Sequence, residues 1–498
     1  MTKQPGDAQA SRPVAFQEIR SKLEDAIVNS VVGSDQQRHE MSSAVDLFLN
    51  NATERAMKDA SVISQGSEEL INQAIAAIDA KISAQVTAIL HHPEFQKLES
   101  SWRGLKLLAD KSHTGTQLRL KVMNVRKEEL AKDFSKNPKL NQSALYQHIY
   151  AAEFGTAGGL PFGTLIGDYE FDPGPKDMPV LARIAGVAAA AHAPFIAAAN
   201  PSIFGLNDYT GLSDVPDMAS VFKGAEYAGW RAFRETPDAR YVALTMPHVL
   251  MRMPYGPSGD TPVEEFNFDE KVHGRDHKNY LWGNAAFAYG TCITRAFFEY
   301  GWPTAVTGEE GGGKVEGLKL HYYKTKGGTQ QHKTPTETLI TDTREKELAE
   351  LGFLPLVYKK ETESATFYSG QSVQRPQKYD VNAATGSAEL SAQIPYVIAC
   401  SRIAHYMKIM VRERLGRFES EHTLRDYLNR WLKNLVVSQD DASQEMKAKY
   451  PLKSAQVEII DDPDGRPGYF EATAHLQPHI TFRGLRASMR LVTEMKQQ

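Results

Sequence analysis

The chain has 498 residues, with 57 Lys plus Arg against 61 Asp plus Glu and a formal net charge of −4. A hydrophobic fraction of 41% and a charged fraction of 24% exclude a wholly disordered chain, and the lack of a basic excess excludes bulk nucleic-acid binding. Two cysteines, Cys292 and Cys400, make neither a disulfide framework nor a Cys-x-x-Cys site, which fits a reducing cytosol, and no apolar run reaches the ~20 residues of a bilayer span.

At roughly 100–200 residues per domain, the length predicts two or three domains. Residues 1–14 are polar. Phe16, Ile19, Leu23, Ile27 and Val31 then recur at helical spacing, so residues 1–60 read either as a helix packed on its own domain or as an arm that docks on another subunit. Residues 68–92 read as a helix with Ile71, Ile75, Ile78, Ile82, Val86 and Leu90 on one stripe. A second helix starts at Pro93, with Phe95, Leu98, Trp102, Leu105 and Leu108 on one face. Strands are predicted over 117–125, 164–171, 194–199 and 241–250, and helices over 178–192 and 284–300, which makes a mixed α/β body. Residues 307–335 read as a loop or hairpin excursion, and 343–351 as a helix stopped by Gly352. The polar run 359–384 is the expected boundary.

The last part changes style. A long helix over 394–415 precedes a second one marked by Leu424, Tyr427, Leu428, Trp431 and Leu435. Strands over 456–460, 469–476 and 485–494 complete an α+β unit. The expected division is therefore an N-terminal arm (1–60), an α/β body (61–375) and a C-terminal α+β domain (376–498) that ends on a strand.

Patterns that carry chemistry are weak. Gly308 to Lys314 fits G-x-x-x-x-G-K, but Val315 stands where a Ser or Thr should hold Mg²⁺, Glu309 and Glu310 oppose phosphate, and the following residues alternate like a strand. His273 and His277 are four apart, but Gly274 breaks the helix that would align them as metal ligands. Asp168 and Glu170 could form a carboxylate pair on one strand face, which alone more often marks a strand end or an inter-subunit ion pair. No G-x-S-x-G elbow or G-x-G-x-x-G turn occurs. No catalytic residue, cofactor or metal is assigned. The terminal strand by itself reads as completing its own sheet, although a strand edge can also add to the sheet of a neighbour.

The ordered segments HHPEFQKLESSWRGLKLL (91–108), FGTLIGDYEF (162–171), AHAPFIAAANPSIFGL (191–206), YVALTMPHVLMRMPYG (241–256), YLWGNAAFAYG (280–290), IPYVIACSRIAHYMKIMVRERLG (394–416) and HLQPHITFRGLRASMRLVTEM (475–495) resemble the large subunit of the type VI secretion system contractile sheath. The resemblance runs from about Ile71 to the C-terminus and implies a non-enzymatic structural protein of the bacterial cytoplasm. It implies pairing with a small sheath subunit and helical polymerisation of neighbouring copies around a tube of hexameric rings. It also implies baseplate components, and a partner AAA+ ATPase that disassembles the contracted sheath and engages chiefly the small subunit. Neither nucleic acid nor direct membrane insertion is implied. The C-terminal domain is similar to that of contractile phage-tail sheaths, so a phage-tail-like particle is the alternative; a P-loop enzyme is a remote one. The resemblance places inter-subunit strand exchange at Ala487, Met489, Leu491 and Thr493, and at Ile27, Val28, Val31 and Val32 of the arm, where periodicity alone reads helix. Tube contact is assigned to Arg425, Asp426, Arg430 and Lys433; a solvated helix face is the competing reading.

Overall fold

The computed structural model describes residues 67–259, 261–264, 266–324, 327–413, 421–439, 442–461, 469–479 and 489–496. The arm, with Ile27, Val28, Val31 and Val32, and Ala487 of the last strand lie outside the described residues. Two compact units divide the chain, 1–88 with 264–268, and 89–263 with 269–498. In the first, helix α1 (Ser67–Leu90) carries the predicted stripe, and Ile75, Ile78 and Ile82 on it are exposed.

In the second unit, α2 (Pro93–Lys111) begins with Pro93 in its first turn, where the missing N–H costs nothing. Gly104 and Leu108 face inward, and a Cβ at Gly104 would sit 2.3 Å from the Phe287 ring. Phe95, Leu98 and Trp102, predicted on the same face, point outward instead. Periodicity marks an apolar stripe but not how far around the helix the protein reaches. The strand expected over 117–125 is not formed: the segment enters no ladder among the described residues, and Val122 and Met123 are exposed. Alternation supplies a face, not a neighbour to pair with. The short helix α3 (Lys127–Lys136) follows.

The body is built on a sheet of order β1-β2-β3-β9-β10-β6. Strands β1 (Leu165–Phe171), β2 (Phe195–Ala199), β3 (Val242–Met246) and β9 (Phe353–Tyr358) run parallel, whereas β10 (Ser364–Phe367) pairs antiparallel with both β9 and β6 (Lys314–Glu316). Helix α4 (Asp177–Ala191) connects β1 to β2, and α5 (Ala285–Tyr300) follows the small pair β4 (Val249–Leu250) and β5 (Trp282–Gly283). Side chains alternate between two cores. Phe195, Ala197, Val242, Leu244 and Phe353 face α4, while Ile196, Ala243, Leu354 and Leu356 face α5. Parallel strands buried on both faces are continuous apolar runs, which is why β9 lacks alternation and escaped prediction. The predicted 241–250 strand is split before Pro247, which has no N–H to give a ladder. The 307–335 excursion holds β6 and the hairpin β7 (His321–Lys324) to β8 (Gln330–Lys333). Helix α6 (Asp342–Glu350) leads through Gly352 (φ 90°) into β9, and the polar run 359–384 contains the buried β10.

The C-terminal part holds α7 (Asn382–Ser391), α8 (Ile394–Glu413), α9 (Glu421–Lys433) and an antiparallel sheet of β11 (Leu452–Asp461), β12 (Tyr469–Pro478) and β13 (Met489–Lys496). The expected mixed α/β body and α+β C-terminal part are both present. Helix α8 enters three cores: Val397 the first, Ile394 and Ile398 the second, and Tyr396, Cys400, Ile403, Met407 and Val411 a third, against Leu424, Leu428, Leu432, Val457 and Ala474.

Polar bonds fix α8 to the end of α4. His405 Nε2 donates to the Ala191 carbonyl at 2.9 Å, and Arg412 donates to the carbonyls of Phe154 and Thr156. His192 ends α4 in the left-handed conformation (φ 49°). Burial pushes His192 down to about 4 and His405 to about 3, and the cations Lys408 and Arg402 add to the effect on His405. Both imidazoles are neutral in the fold. They titrate near 6.5 once unfolded, so acid protonates the unfolded chain first. Stability should therefore fall as pH drops from about 6.5 towards 4. Urea titrations across that range check this, and His405→Gln should flatten the slope.

Candidate assembly surface

Strands β11 and β12 pair with Val457 opposite Ala474, and β12 and β13 pair with Ala474 opposite Leu491. The Asn429 side chain on α9 meets the other side of β11: its Nδ2 donates to the Val457 carbonyl at 3.0 Å, and the Val457 N–H donates to its Oδ1 at 2.8 Å. The backbone groups of Val457 thus point away from β12. In an antiparallel ladder these directions alternate, so Ala474 and Leu491 bond each other. Arg490, Val492 and Glu494 then turn their N–H and C=O to the outer edge of β13, where no strand follows among the described residues. Of the predicted exchange residues, Met489, Leu491 and Thr493 lie on β13, opposite Leu476, Ala474 and Ala472 of their own chain.

Helix α9 is amphipathic. Leu424, Leu428 and Leu432 enter the third core, and Asp426, Arg430 and Lys433 are exposed on the opposite side. Asp426 is paired with His422 at 3.0 Å, and Arg425 stands 3.9 Å from Glu421. Arg430 and Lys433 make no ion pair among the described residues. The four predicted tube-contact residues share one helix, but two of them are engaged within it. Sequence reasoning missed Asn429, whose only signal is a mid-helix Asn beside the buried Leu428.

The chemical patterns resolve differently. Lys314 lies on β6, not at a helix N-terminus, and its ammonium pairs with Glu316 at 2.6 Å. The Gly308 and Gly313 amides donate to the carbonyls of Phe367 and Gly308, so neither is turned to an anion. His277 groups with Glu337 and Asp208 in a metal-like arrangement, whereas the His273 amide bonds Asp276. Glu337 is already saturated: it accepts from the Tyr209 amide at 3.1 Å, from His277 at 2.9 Å and from His248. The Lys333 ammonium lies 3.4 Å from the other His277 nitrogen, which opposes a cation there. Asp168 and Glu170 diverge: Asp168 accepts from the Ser101 hydroxyl, and Glu170 binds Asn200 and, at 3.0 Å, His248. Burial pushes Asp168 up. The buried thiols of Cys292 and Cys400 are likewise pushed up, to about 11 and about 12, and are unreactive at neutral pH.

A family model described as EvpB/VC_A0108, tail sheath N-terminal domain, matches residues 72–374, and one described as EvpB/VC_A0108, tail sheath gpW/gp25-like domain, matches residues 383–495. The chain belongs to the EvpB/VC_A0108 tail sheath family. The type VI secretion system sheath protein TssC1 of Pseudomonas aeruginosa is 42% identical over 455 residues, which cover 91% of this chain and 91% of that protein. In this tail sheath chain the second match covers α7 to α9 and the β11–β13 sheet except Asn382 and Lys496 at their two ends. No helix among the described residues is long and apolar enough to cross a membrane.

His248 bridges two carboxylates, Glu170 and Glu337. Burial would lower His248, but Glu170 and Glu337 on its two nitrogens outweigh this and hold it up at about 10; burial would raise Glu337, but His248 and His277 pull it to about 2. A raised histidine stabilises fully below its unfolded value near 6.5, and that contribution is lost as pH rises through about 10. His248→Ala leaves the buried Glu337 with His277 and the Tyr209 amide alone and should cost about 1–3 kcal/mol, read from urea unfolding at neutral pH. The variant should also lose stability less steeply between pH 7 and 10.

Proposed function

We propose that the chain is the large subunit of a type VI secretion system contractile sheath, a structural protein of the bacterial cytoplasm. It pairs with a small sheath subunit, and the pairs polymerise as a helical cylinder around a tube of hexameric rings on a baseplate. Contraction propels the tube, and an AAA+ ATPase later dismantles the sheath. Residues 61–375 form the outer body, 376–498 the tube-facing domain, and 1–60 the arm. The observation that carries this reading is the pair of tail sheath models matched in order along the chain, with the TssC1 relative spanning most of both proteins.

Strand exchange joins the subunits at β13, and the parity of the ladder says how. The outward groups of Arg490, Val492 and Glu494 receive a strand of a neighbour, while Leu491 holds β13 to its own sheet. Backbone pairing of this kind persists while rigid bodies rotate about it.

Proline separates the two sides of β13. Val492→Pro removes only an outward donor, which an edge strand tolerates, whereas Leu491→Pro breaks the intrachain ladder. Co-expressed with the small sheath subunit, the Val492→Pro chain should remain soluble and partner-bound but form no long sheaths by negative-stain microscopy. Normal sheaths from that variant would sink strand exchange at β13, and failure of the unaltered pair to give any heteromer or tubule would sink the sheath assignment.

The exposed charges of Arg430 and Lys433 face the tube. Arg430→Glu with Lys433→Glu should lower the fraction of sheaths that contain a tube, more at low than at high salt, with heterodimer yield unchanged. Electron micrographs scored for filled and empty sheaths check it.

A further inference from the structure

Strand addition carries little sequence code, because any unpaired edge offers the same N–H and C=O groups. A chain that polymerises through one edge must close the others. Two of its edges are closed by side chains. At the start of β6, the carbonyls of Lys314 and of Gly312, two residues before the strand, face away from β10, and Arg295 Nη2 on α5 donates to both, at 2.8 and 2.7 Å. On β11, the outer groups of Val457 are both held by the Asn429 amide. Five residues earlier, Leu452 donates to the Leu435 carbonyl at 3.2 Å and accepts from the Val437 N–H at 2.9 Å. Ala455 between these two points, and Ile459 and Asp461 beyond Val457, keep outward groups, so Val457 interrupts what would otherwise be a run of alternate open positions.

We propose that Asn429 is an edge guard: its amide takes the place of an incoming strand at Val457, closes the outer edge of β11, and so restricts strand addition in this sheet to the outer edge of β13. The inference rests on the strand-exchange reading above. A primary amide suits the task because it carries a donor and an acceptor side by side, as a peptide unit does. The second Nδ2 hydrogen bonds the Arg425 carbonyl at 3.0 Å, which orients the amide from its own helix. Leu428 and Leu432, buried in the third core, hold that helix against the sheet. Alanine at 429 leaves the Val457 groups free to pair, and aspartate keeps the bond from the Val457 N–H but loses the donor to its carbonyl.

The test uses the full chain co-purified with the small sheath subunit, a synthetic peptide of residues 489–496 as the incoming strand, and hydrogen exchange read by mass spectrometry. In the unaltered chain the peptide should slow exchange in 490–494 and leave 455–459 unchanged. In Asn429→Ala it should slow exchange in 455–459 as well, by tenfold or more, and co-expressed sheaths should become short or aggregated. A purely structural role for Asn429 would speed exchange in 455–459 without any protection by the peptide, and that result overturns the guard. Where Asn429→Ala does not fold, Asn429→Asp decides by the same peptide-dependent protection. If Val492→Pro stops sheath assembly while folded Asn429 variants show no protection of 455–459, the guard is wrong and strand exchange stands. If the peptide protects neither edge and Val492→Pro assembles normally, the strand-exchange reading fails and the guard with it.

Discussion

One helix cannot move without disturbing the three main cores of the larger unit. Helix α8 sends Val397 to one face of the body sheet, Ile394 and Ile398 to the other, and its remaining apolar side to the C-terminal sheet. Close-packed interiors do not deform smoothly, so these three contacts behave as one rigid joint. The polar bonds at Ala191, Phe154 and Thr156 add direction to it. Body and C-terminal sheet are thereby held as a single piece, and the edge of β13 is carried at a fixed place on it. Under the proposed strand exchange, such a piece would change its relation to neighbours at their shared strands rather than by bending within itself.

The buried charges serve the same rigidity. Arg252 forks onto Glu270 at 2.7 and 3.1 Å and reaches Glu99 on α2 at 2.8 Å, while His91 adds to Glu270. His248 spans Glu170 on β1 and Glu337 near α6. A buried ion pair adds little net stability over an apolar replacement, but losing one partner is costly. These networks therefore fix which loops meet more than they strengthen the fold. They also explain why residues that look metal-ligating or catalytic in sequence are spent on each other.

Much of the architecture was legible because it rests on local rules. The caps and periodicities of α1, α2, α4, α5, α8 and α9 can be read residue by residue, and so can the turn-bounded strands β11 and β12. What escaped depends on neighbours distant in sequence. The 117–125 segment alternates yet finds no partner strand among the described residues, β9 and β10 are strands only because a sheet encloses them, and α2 buries Gly104 and Leu108 but turns Trp102 outward, which its periodicity does not distinguish. Three of the four predicted tube-contact residues, Asp426, Arg430 and Lys433, are exposed on one helix and Arg425 is half-buried, but the pairing of Asp426 with His422 depends on rotamers that composition does not encode. Asn429 was invisible for the same reason: its role exists only because Val457, far along the chain, turns its backbone toward it.

Helix α9 draws these threads together. Its inner side supplies Leu424, Leu428 and Leu432 to the core, its flank places the Asn429 amide on β11, and its outer side displays Arg430 and Lys433. The three roles fall on one helix because successive residues point about 100° apart, so positions 428, 429 and 430 look in different directions. Burial of the leucines fixes the helix, the fixed helix sets the amide, and the amide leaves β13 as the open side of its sheet. The charged face is oriented by the same packing, so the exposed Arg430 and Lys433 and the outer edge of β13 cannot be repositioned independently.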